Sequence, residues 1–69
     1  MVEILAKRLK DLRTDAHLTQ TQFGALLSVS QDTISLWETG RAIPTTETLV
    51  LICRTFDVSA DYLLGLRDY

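Results

Sequence analysis

The feature that most constrains the fold is a helix-start signal that occurs three times within 69 residues. In each copy an apolar residue precedes a hydroxyl residue, and a second apolar residue follows four positions after the hydroxyl. The copies are Leu18-Thr19 ahead of Phe23, Val29-Ser30 ahead of Ile34, and Val58-Ser59 ahead of Leu63. A Ser or Thr oxygen at such a place accepts a free backbone N–H from the first helical turn, and the flanking apolar pair closes over it as a staple. Thr19 also has Gln22 three residues on, which completes a reciprocal capping box. Pro44-Thr45 ahead of Leu49 is a looser fourth case.

The stop signals agree with the starts. Gly40 follows the segment opened at Ser30 and Gly65 the one opened at Ser59, where a left-handed residue ends a helix. The spacing predicts an all-α chain of five helices, over Val2–Asp15, Gln20–Leu27, Gln31–Thr39, Thr46–Phe56 and Ala60–Leu64. Each carries an apolar stripe at helical spacing: Leu5, Leu9 and Leu12; Phe23 and Leu27; Ile34 and Trp37; Leu49, Ile52, Cys53 and Phe56; then Leu63. Helices this short do not persist alone in water, so the stripes must share one core. No linker or repeat divides the chain, and residues 1–69 are expected to form a single domain.

Only Ser28, Val29 and Ser30 separate the second and third segments. So short a connection forces a steep crossing, as in a helix-turn-helix, whose second helix enters the DNA major groove. Val29 supplies an apolar plug for the turn, and Gly24 lacks the side chain that would hold the two helices apart.

With these pieces in place the chain resembles the lambda-repressor-like domains of phage repressors, Cro proteins and xenobiotic-response-element regulators. The matching stretch runs from Leu18-Thr19-Gln20 through Ser30 to Arg41, then takes in Pro44, and ends in Val58 through Gly65. The resemblance implies a five-helix domain that binds double-stranded operator DNA, commonly as a twofold homodimer. It implies that Thr19, Gln20 and Arg41 contact phosphates, and that Gln31, Asp32, Thr33, Ser35 and Leu36 face base edges. It also implies a salt bridge from Arg13 to Glu38 that supports the recognition helix. The chain departs from the family pattern at Gly24, where alanine is usual, at Ser28, where glycine is usual, and at Leu36, often polar.

The residue chemistry is compatible but mixed. Glutamine at the front of a recognition helix can make a two-point contact with adenine, and Leu36 can pack on a thymine methyl. Asp32 can accept from a cytosine amine, yet it brings negative charge into a negative groove. Seven basic against nine acidic residues leave a net charge of −2, unusual for a duplex binder. Lys7, Arg8, Lys10 and Arg13 form either a phosphate-binding patch or a solvated helix face.

Tyr62, Leu64, Leu66 and Tyr69 remain after the core is filled and are candidates for a dimer contact. Cys53 reads as a buried thiol, and a lone cysteine suits a reducing cytoplasm. His17 has no second ligand at metal spacing and reads as a solvated or capping residue. No apolar run spans a bilayer, no signal-peptide pattern opens the chain, and no cofactor or small-molecule motif is present. Nothing suggests an enzyme. The second reading is a protein-interaction or antitoxin-type module of the same fold, favoured by the net charge, Asp32 and the leucines Leu26 and Leu36.

Overall fold

The computed structural model describes residues Met1–Tyr69. It contains five helices and no strand: α1 (Val2–Asp15), α2 (Gln20–Leu27), α3 (Gln31–Glu38), α4 (Thr46–Phe56) and α5 (Ala60–Leu64). All four expected caps are formed. Thr19, Ser30, Thr45 and Ser59 accept from the backbone N–H of Gln22, Thr33, Thr48 and Tyr62, and the Thr19–Gln22 capping box is reciprocal. Helix α3 ends at Glu38, one residue earlier than expected. Thr39 sits at φ −100°, ψ 0° and turns its hydroxyl back to the carbonyls of Ser35 and Leu36, a local bond that competes with continuing the helix.

The helix ends follow one device. A left-handed residue is followed by a residue whose N–H reaches back five positions, satisfying a carbonyl that the helix leaves free. The closures are Leu18 to Arg13, Val29 to Gly24, Arg41 to Leu36, Val58 to Cys53 and Leu66 to Asp61. The left-handed residues are Gly40 and Gly65, as expected, but also His17, Ser28 and Asp57. Each of those three bears a Cβ that makes this conformation costly, by about 1–2 kcal/mol. What outweighs the cost is the apolar residue that follows. Leu18, Val29 and Val58 all pack on the core. Each of these residues both closes the helix behind it and staples the one ahead.

The core is one cluster: Leu5, Leu9, Phe23, Leu27, Ile34, Trp37, Ile52 and Leu63, with Leu12, Leu49, Cys53 and Phe56 partly buried around it. Phe23 and Phe56 meet with ring centroids 5.4 Å apart, joining α2 to α4. Cys53 lies on the core edge rather than fully inside, and burial pushes its thiol above the usual range. No helix is long and apolar enough to cross a membrane.

Candidate nucleic-acid interface

The site is built on the α2–α3 pair. Gly24 permits its close crossing: a Cβ there would stand 2.5 Å from the carbonyl oxygen of Val29. That distance is below any ordinary contact, so the turn could not keep its place with a side chain at 24. Ile34 and Trp37 pin α3 to the core. Helical spacing then turns Asp32, Ser35 and Leu36 outward, with Gln31 and Glu38 on one flank and Thr33 on the other. Gln31, Asp32 and Leu36 are exposed, whereas Thr33 and Ser35 are half-buried. The Thr33 hydroxyl shares a hydrogen bond with that of Ser30 at 3.0 Å, which ties it to the helix start.

A chain of side-chain hydrogen bonds runs along the Gln31 flank. Arg13 of α1 donates to both carboxylate oxygens of Glu38, from Nε at 2.7 Å and from Nη2 at 3.0 Å. Its Nη1 donates to the carbonyl of Leu18 at 3.0 Å. Glu38 also accepts from the amide of Gln20 at 3.1 Å, and the Gln20 carbonyl accepts from the amide of Gln31 at 2.6 Å. Three helices are thus joined by one network. The Glu38 side chain is only 4% exposed, so a two-point charged contact carries weight here that a surface pair would not. The hydrogen bond to Glu38 raises the Arg13 pKa above its usual value, against the opposing effect of burial.

The Gln31–Gln20 contact leaves the Gln31 carbonyl and one amide hydrogen available. These are one acceptor and one donor, the pair an adenine edge requires. The contact links a residue expected to read bases with one expected to hold phosphate. Neither composition nor helical periodicity indicates it, because it depends on how the two helices cross. Thr19 and Arg41 are exposed, Thr19 at the start of α2 and Arg41 just after α3, its backbone N–H bonded to the Leu36 carbonyl.

The basic cluster of α1 is partly engaged within the chain. Lys7 pairs with Asp11 at 2.8 Å, a bond that raises its pKa, and Arg13 is held by Glu38. Arg8 donates to the carbonyls of Tyr62 and Arg67 and lies over the Tyr62 ring, 4.4 Å from its centroid. Only Lys10 of the four has no ion pair.

Among the expected dimer residues, Tyr62 is therefore covered on one ring face and Leu64 is half-buried, while Leu66 and Tyr69 are exposed. A cavity of about 360 Å³ lies beside them, lined by Leu12, Asp57, Val58, Ser59, Tyr62 and Tyr69. No group of His, Cys, Asp or Glu is placed to hold a metal ion.

Residues 9–63 match the family model described as helix-turn-helix. The chain belongs to the helix-turn-helix family. It is 43% identical over 59 residues to the HTH-type transcriptional activator BcrR of Enterococcus faecalis, which covers 86% of this chain and 29% of that protein. It is 38% identical over 61 residues to the HTH-type transcriptional regulator ImmR of Bacillus subtilis (strain 168), covering 88% of this chain and 48% of that one. The chain thus spans less than half the length of these two relatives. Among solved structures, the P22 c2 repressor protein in complex with a synthetic operator is similar with a TM-score of 0.79 and 29% identity. That match covers 86% of this helix-turn-helix chain and 89% of the repressor chain, so the likeness extends to the whole five-helix fold.

Proposed function

We propose that this helix-turn-helix domain binds double-stranded operator DNA sequence-specifically, with α3 in the major groove. We read it as half of a homodimeric transcriptional repressor of bacterial or phage origin, working in the cytoplasm. The observation that carries the reading is the network from Arg13 through Glu38 and Gln20 to Gln31. It fixes the entry angle of α3 and pre-orders the side chain at its front. Gln31, Asp32, Thr33, Ser35 and Leu36 are the proposed base-reading positions, with Gln31 and Leu36 the most available. Thr19, Gln20 and Arg41 are the proposed phosphate contacts, helped by the free N–H groups and partial positive charge at the start of α2. Arg13 and Glu38 hold the recognition helix without touching DNA. The likeness to a repressor domain carrying its operator supports this arrangement.

A random-duplex selection at two salt concentrations tests it. Enrichment of one half-site motif, with affinity falling as salt rises, is the expected result. A specific observation favours the second reading, a protein-interaction or antitoxin-type module: Lys10, Arg41 and Arg54 are the only basic residues without an ion pair, while Asp32 faces outward. Selection without any enriched motif would favour that module.

A further inference from the structure

We propose that the outward face of α4 is a self-association surface, on which two copies of this chain pair antiparallel about a twofold axis lying between Val50 and Leu51. Helix α4 presents Leu49, Ile52, Cys53 and Phe56 to the core. Directly opposite, at positions three, four and seven apart, stand Glu47, Val50, Leu51 and Arg54, all exposed. Val50 is 45% and Leu51 40% exposed, on a helix whose inward stripe already supplies its packing. These two side chains form the apolar centre of the outer face, and the charges on either side of them carry the argument.

The charges identify the occupant. Glu47 and Arg54 have no ion partner within the chain. They lie two turns apart, about 10 Å along the axis, too far to pair with each other. Their midpoint falls between Val50 and Leu51. A second α4 laid antiparallel across that point sets Glu47 against the partner's Arg54, and Arg54 against the partner's Glu47. Val50 then meets the partner's Leu51. A twofold contact requires one patch to be complementary to itself, and a cation and an anion equidistant from an apolar centre meet that requirement. An unrelated acidic or basic partner would satisfy one charge and repel the other.

The patch is small. A standard interface takes about 800 Å² from each partner, and one helix face on a molecule of 4466 Å² offers less. The association is accordingly weak in solution.

Sedimentation equilibrium at concentrations up to about 1 mM tests the surface with five proteins: wild type, E47R, R54E, the double reversal and Leu66→Asp, each checked for helix content by circular dichroism. Wild type is expected to show concentration-dependent dimers. Each single reversal turns both ion pairs of the dimer repulsive and should raise the dissociation constant about tenfold or more. The double reversal should recover association, and so should an equal mixture of the two single variants, whose charges complement each other across the axis. Glu47 and Arg54 also lie where the helix dipole favours their charges, so the double reversal is the least favourable for α4 itself. Recovery in that protein therefore cannot come from a steadier helix. A wild-type monomer throughout the range, or single variants that associate like wild type, would overturn the proposal. Loss of dimer in Leu66→Asp together with unaffected charge variants would do so too, by moving the contact to the chain's last residues.

Discussion

Replacing Arg13 with methionine strips the Glu38 carboxylate of its charged partner while keeping an apolar stem of similar length. Glu38 is 4% exposed and is left with only the Gln20 amide to stabilise its charge. Breaking a buried pair by removing one member costs about 3–5 kcal/mol. The Arg13 side chain is 14% exposed, so water can reach part of the vacated place, and about 2–4 kcal/mol is the expected loss. A domain of 69 residues has in all about 3–10 kcal/mol of stability. The variant should therefore melt roughly 10–25 °C lower. Urea unfolding followed by the fluorescence of Trp37, which is buried and should report the loss of its surroundings, gives the free energy. The double variant Arg13→Met with Glu38→Leu removes the stranded charge and should recover part of the loss, because an apolar replacement of both partners is tolerated where the removal of one is not. A loss below about 0.5 kcal/mol for Arg13→Met would place the bridge among ordinary surface pairs. Strict additivity in the double variant would refute the coupling that the network implies.

Three further outcomes are expected. Gly24→Ala should destabilise by about 1–3 kcal/mol through its collision with the Val29 carbonyl, and its DNA affinity should fall further than the unfolded fraction explains; wild-type stability would show that the helix pair yields easily. Ser28→Gly should stabilise by about 1 kcal/mol in the same unfolding assay by relieving the left-handed backbone, and a decrease would mean that the serine side chain contributes to the turn. Gln31→Ala should cost about 1–3 kcal/mol for the preferred duplex and relax one base pair in a binding titration, whereas equal weakening on all sequences would assign Gln31 to backbone contact.

The helix starts are legible because a cap is a local event: one hydroxyl, one N–H and an apolar pair within six residues. The same holds for Gly40 and Gly65, whose lack of a Cβ announces a left-handed turn. His17, Ser28 and Asp57 adopt that turn without announcing it, because the gain comes from where the next residue packs, and packing is not a property of the turn residue. The site shows the same division. The family resemblance marks Arg13, Glu38, Gln20 and Gln31 individually and pairs Arg13 with Glu38. The two bonds made by Gln20 join residues 11 and 18 positions apart, and they depend on the crossing of α2 over α3. The α1 basic cluster could be read two ways because charge in sequence does not reveal its partners, and Arg8 finds its own more than fifty positions away.

Because Leu18, Val29 and Val58 each serve two helices at once, the junctions they occupy have no slack. An added residue at any of them would have to choose which neighbour loses its apolar seal, and both choices expose core. The stretch from Arg41 to Thr45 is different: the residue that closes α3 and the residue that caps α4 are separate there. Chain length in this domain can therefore change more readily between α3 and α4 than at the other connections, provided that Ala42 still packs on the core and Pro44 stays buried.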